Sequence, residues 1–350
     1  MLARTGRAVT LAALLFLPAP AWPADGPPDT GQGLDVRRVS PEQRRRLLAG
    51  ETIAYEVAET SETELGAGVA MYLPVPLARV AEVLTSPDVV LREPSITASG
   101  PLPVGATGAA LGFALGADEI AEAQDVLEAA PGPRFNLASA EIDLFRAARG
   151  AGCCRDRGAT LEAATTRWRA LLLQRARAFR ARGLEGIAPY ARRGGVTDPA
   201  ALLRVAAGDA RIVAHVMPRL AEALLRFPAE QSPTAASRLY WVKRQVQGRP
   251  TPIVIHHLVD VTAQLALYVE RHVFVGHTYN ASQILSGAVP FEDGVLVFSS
   301  NRVSTDQVAG LGGEMKRVIG RRQLRAEIVK RFDRVRAALA RPAPAAPESP

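Results

Sequence analysis

Five segments decide the fold: LYWVKRQV (239–246), IVIHHLV (253–259), LALYVERHVFV (265–275), SQILSGAV (282–289) and VLVFSSN (295–301). Val, Ile, Leu and aromatic residues dominate them, with apolar side chains alternating as in a β-strand. The turn signals between them are short, Gly248-Arg249-Pro250 and Glu292-Asp293-Gly294, and Asp-Gly is a strong hairpin signal. Parallel strands need a crossover of about a dozen residues or more, so closely spaced strands predict an antiparallel meander. The period then changes to that of a helix. Met315, Val318, Ile319, Leu324, Ile328, Phe332, Val335 and Leu339 form one apolar stripe from Gly313 to Ala340, predicting a long helix with its stripe buried under the sheet.

Working outward, Ile53 to Val57 and Gly66 to Leu73 alternate as strands, and Pro74-Val75-Pro76 stops the second. Leu77 to Leu84 reads as a helix with Val80, Val83 and Leu84 inward, ended by Ser86-Pro87-Asp88. Ahead of these, Ser40-Pro41-Glu42-Gln43 is a capping box opening a short helix that Gly50 ends. From Asp118 the pattern is helical for over a hundred residues. Its marks are Ile120, Val126 and Leu127, then Ile142, Leu144 and Phe145, then a long helix over 160–182; Asp198-Pro199 opens another, and Pro218 interrupts a final pattern.

The expected class is α+β, an antiparallel meander sheet gripping a long C-terminal helix, with a helical insertion. The segments are a signal peptide (1–24), a linker and short helix (25–50), the first part of the α+β domain (51–115), the insertion (116–235), the sheet and closing helix (236–340) and a disordered tail (341–350).

A strand, a Pro-initiated helix, a meander and a closing helix, in that order, resemble the START-like (helix-grip, SRPBCC-type) superfamily. The resemblance covers 51–115 and 236–340 and implies an apolar cavity between sheet and helix; 116–235 departs from it. The superfamily has no fixed residue fingerprint, so the resemblance transfers no ligand-contacting residue.

Composition bounds the function. Apolar residues make up 48% of 350, enough for a large core. Arg4 and Arg7, the apolar run Val9 to Phe16 and small residues at Ala19, Ala21 and Ala24 have the order of a secretory signal, cleaved after Ala21 or Ala24. That run is about half what a bilayer span needs, so the expected location is periplasmic or secreted. Net charge is +7, and +5 without Arg4 and Arg7; a moderate excess of this kind predicts no nucleic-acid partner. Residues 314–341 and 155–193 are basic and 118–143 acidic, so the basic helices admit an anionic membrane surface as a partner. The two cysteines, Cys153 and Cys154, are neighbours, which leaves silent thiols, a strained vicinal bridge or a redox or metal role as readings.

Polar residues concentrate between Glu270 and Gln307. Tyr268, Glu270, His272 and Phe274 share one strand face by alternation; His277, Tyr279 and Asn280 follow at the strand end; Asn301, Arg302 and Asp306 end the last strand. With Phe298 these are the candidate ligand-binding residues. The plain alternative puts Glu270 and His272 in solvent, with Val269, Val273 and Val275 in the core. No metal site is expected, because His256 and His257 point to opposite faces and no ligand-spaced pair exists. GxSxG, GxGxxG and the Walker loop are absent, so no cofactor is expected. Three functions compete: an exported binding protein for an apolar or lipid-like molecule, an enzyme using His272, His277, Asn280 and Asp306, and a structural envelope protein with a protein partner.

Overall fold

The computed structural model describes residues 39–86, 91, 93–150, 153–208, 213–214, 217–229, 236–310 and 312–340. The expected signal peptide, linker and tail, and Pro87-Asp88, lie outside them.

Eight strands form one antiparallel sheet. In chain order they are β1 (Thr52–Tyr55), β2 (Glu64–Leu73), β3 (Ile96–Pro101), β6 (Ala236–Val246), β7 (Arg249–Val261), β8 (Ala266–Val275), β9 (Ala281–Phe291) and β10 (Gly294–Ser304). Two more, β4 (Tyr190–Arg192) and β5 (Gly195–Thr197), form a separate ribbon. The order across the sheet is β1-β2-β10-β9-β8-β7-β6-β3, so the five deciding segments are consecutive neighbours and the early strands close both edges. The turn between β6 and β7 is tighter than its composition suggests. Gln247 (φ 52°) and Gly248 (φ 75°) both take the left-handed conformation of a two-residue hairpin, and Arg249 and Pro250 belong to the strand.

One face carries α2 (Leu77–Thr85) and the closing helix α8 (Gly313–Leu339). Ile328, Phe332 and Val335 are buried there with Val80 and Leu84 against Met71, Ala288 and Val297. Gly320 allows the helix to approach the sheet, since a Cβ there would come within 2.6 Å of a Leu65 methyl. The N-terminal part of the stripe departs from expectation: Met315, Val318 and Ile319 are 73, 56 and 51% exposed.

The opposite face is covered by the remaining helices. α1 (Pro41–Leu48) starts at the expected capping box, with Ser40 and Gln43 exchanging both hydrogen bonds. Between β3 and β6 come α3 (Ile120–Leu127), α4 (Ser139–Gly150), α5 (Arg157–Arg182), α6 (Pro199–Gly208) and α7 (Pro218–Arg226). Pro218 opens α7 at its first turn, where its missing N–H costs nothing, instead of interrupting a helix. Trp168 and Phe179 of α5 pack with Phe113, Phe145, Trp241 and Phe274 in a core behind the sheet, and a second core joins α1 and α7 to Leu267, Leu285 and Phe298. Cys154 is exposed.

Cover on both faces explains why β2 and β8 are buried at every residue. The alternation on β8 is therefore not inside-outside, and the solvent-facing reading of Glu270 and His272 fails: each is 2% exposed.

Candidate functional site

The apolar grip covers only part of the inner face. Under α8 a cavity of about 700 Å³ opens between the helix and strands β2, β6 and β8 to β10. Its aliphatic wall is Leu65, Ile284, Val303, Ile319, Leu324 and Ile328. The lining also includes the polar His272, Tyr279, Ser282, Ser299 and Asn301 from the sheet side and Arg331 and Arg334 from the helix.

A hydrogen-bonded chain runs from this cavity into the protein. The Tyr279 hydroxyl lies 2.7 Å from His272 Nδ1, and His272 Nε2 lies 2.7 Å from Glu270 Oε1. Glu270 Oε2 accepts from Tyr268 (2.9 Å) and from Arg331 Nη1 (3.2 Å), while Tyr268 also meets His257 Nε2 at 2.8 Å. Burial pushes the Glu270 carboxyl up, but the Arg331 charge and the His272 hydrogen bond outweigh it and hold it well below the usual carboxylate range. The ionised Glu270 accepts a hydrogen bond from His272 Nε2. Burial raises the Tyr279 phenol, keeping it protonated.

Arg334 is the cation left over. Its Nε is buried without a partner, and it forms no ion pair among the described residues; Arg244, also lining the cavity, is held by Glu93. Desolvation lowers the Arg334 guanidinium from its ordinary value, and an anion beside it would relieve that cost.

The expected site residues divide. His272, Tyr279 and Asn301 line the cavity, Glu270 stands behind His272, and Tyr268 lines a smaller cleft toward Phe332. Phe274 and Phe298 lie on the other face. A bulge at Val273, where Val254 pairs with Phe274 but Ile255 with His272, turns Phe274 away to pack on Trp168 and Tyr190. Phe298 belongs to the core under α1 and α7. Arg302 is not compensated by Asp306: it pairs with Glu64 through two hydrogen bonds of 2.8 and 2.9 Å.

Asn280 and Asp306 do meet, at 2.9 Å, and Arg192 of the ribbon joins both, so they tie the insertion to the sheet rim outside the cavity. His277 is fully buried against Thr251 and Phe135, apart from His272, so the proposed cluster of His272, His277, Asn280 and Asp306 is not one site.

Arg331 and Arg334 were missed because they read as part of a basic helix. The signal was the spacing: Leu324, Ile328, Arg331 and Val335 recur at four, three and four residues, which sets Arg331 on the buried stripe. A cation on such a stripe requires an anion.

Buried imidazoles make stability sensitive to acid. Burial lowers His257 from 6.5 to about 4, and burial with the Arg249 charge lowers His277 from 6.5 to about 3. Both rings are neutral when folded and protonate near pH 6.5 when unfolded, so the unfolded chain binds more protons below that pH. The melting temperature is expected to fall as pH drops from 6.5 to about 4, and less steeply in His277→Gln. A flat profile in the wild type would contradict this.

No family profile and no curated protein sequence matches the chain. One solved structure it resembles is described as "Crystal structure of Ara h 8.0201", with 12% identity, 40% of this chain and 89% of that one covered, and a TM-score of 0.19. A likeness at that score decides nothing, and the fold rests on the strand order and the closing helix.

Proposed function

We propose that the chain is an exported binding protein, periplasmic or secreted, for a lipid-like small molecule with an anionic head. One observation carries the reading: a guanidinium with no ion pair among the described residues, Arg334, lines a cavity that is also lined by the aliphatic Leu65, Ile284, Val303, Leu324 and Ile328. The apolar part of the ligand lies against Ile284, Leu324 and Ile328, and its head meets Arg334, with Ser282 and Asn301 offering further polar contacts. The volume is within the usual range of small-molecule pockets. The signal-like leader supports export.

Titration with a fluorescent dansyl fatty acid tests this. The wild type should bind it, Arg334→Ala should weaken binding about tenfold through loss of a charge-assisted hydrogen bond, and Leu324→Trp should fill the cavity and abolish binding. Equal affinity for the uncharged dansyl fatty amide would overturn the role of the head.

The chain Tyr279–His272–Glu270 favours a second reading, an enzyme in which Tyr279 exchanges a proton with the ligand and His272 relays it. Tyr279→Phe separates the two. A binding protein keeps its affinity and releases its ligand unchanged, whereas an enzyme binds and stops converting it.

A further inference from the structure

We propose that the first turns of α8 are a docking surface for an anionic lipid bilayer. Met315, Val318 and Ile319 are spaced by three and four residues, share one helix face and are the three most exposed large apolar side chains of that helix. They are contiguous on a helix whose later stripe is buried, so they are not a scatter of single surface residues.

Arg322 continues the same face and Arg325 flanks it, and neither makes an ion pair among the described residues, while Arg317, Arg321, Lys330 and Arg331 are paired with acids. An apolar centre with free cations beside it matches the two terms that hold a helix in an anionic interface: burial of apolar side chains and attraction to charged headgroups. It does not match a second copy of the chain, because a two-fold contact would bring the same unpaired cations together.

The surface reaches the cavity mouth. Ile319 is half-exposed and also lines the cavity, as does Lys316 one turn before Gly320. Docking through this face would set the opening against the bilayer. No described helix is long and apolar enough to cross a membrane, so the contact is peripheral. Docking through exposed apolar and basic side chains of α8 does not require the cavity to be occupied.

Co-sedimentation with vesicles tests it. The wild type should pellet with phosphatidylglycerol–phosphatidylcholine vesicles at low salt, less at high salt, and not with phosphatidylcholine alone. The double variant Met315→Asp/Val318→Asp should lower the partition about tenfold or more, since two side chains no longer leave water on docking. Its melting temperature should be unchanged, because both positions are exposed. Arg322→Glu/Arg325→Glu should weaken binding in the same assay. Three results would overturn the proposal: no pelleting of the wild type at low salt, wild-type binding by Met315→Asp/Val318→Asp, or a wild-type dimer in sedimentation velocity that this variant dissociates.

Discussion

Replacing Phe332 with Ala is expected to lower the folding stability by about 3–5 kcal/mol. The ring is 2% exposed and fills the space between α8, α2 and the sheet. Its neighbours Val69, Met71 and Val297 are on hydrogen-bonded strands covered on their far side by other helices, so they cannot collapse into the void. That rigidity places the cost toward the upper part of the range. Urea denaturation measures it, with Met315→Ala as the comparison; Met315 is 73% exposed, so its loss should change stability by no more than about 0.5 kcal/mol. Similar small effects at both positions would mean that the closing helix is not gripped by the sheet.

Replacing Arg302 with Ala is expected to cost a similar amount, about 3–5 kcal/mol, through a different cause. Arg302 and Glu64 pair diagonally across β10 and β2, with side-chain exposures of 7 and 9%. Removing the guanidinium leaves a buried carboxylate that, among the described residues, keeps the Thr60 amide and hydroxyl as its hydrogen-bond donors. The penalty comes from the charge left behind, so Glu64→Met with Arg302→Met should recover much of it. Ligand binding by the folded fraction of Arg302→Ala should match the wild type, because this pair lies away from the cavity. Unchanged stability with lost binding would instead return Arg302 to the site.

The sheet and its closing helix were legible because their signals are local and repeated. Each of the five late segments is an apolar-rich run of seven or more residues, and the helix after Gly313 carries one stripe. The edge strand β3 was not legible: its sequence ITASGP has few β-formers and contains Gly and Pro, which an edge tolerates. The ribbon β4–β5 has three residues in each strand, too few for a period to appear. The site was legible only in part. Which face of β8 is the inner one depends on the bulge at Val273, and alternation alone assigns Phe274 to the wrong side of it. The polar residues after Glu270 are close in sequence yet divide between the cavity and the insertion, because Gly276 to Asn280 crosses the rim of the sheet, where Asn136 of the insertion bonds the Gly276 and Tyr279 carbonyls. Arg334 gave no sign of its role, since a free cation is defined by the partners it lacks.

The central claim is that the cavity beneath α8 holds an amphiphile with an anionic head. Organic extraction of the protein purified from its own cell, followed by mass spectrometry, tests it most directly. The expected result is a carboxylate- or phosphate-bearing amphiphile in near-stoichiometric amount, and its absence from Leu324→Trp prepared in the same way. Protein that carries no such molecule, and that also fails to take up the dansyl fatty acid, would contradict it.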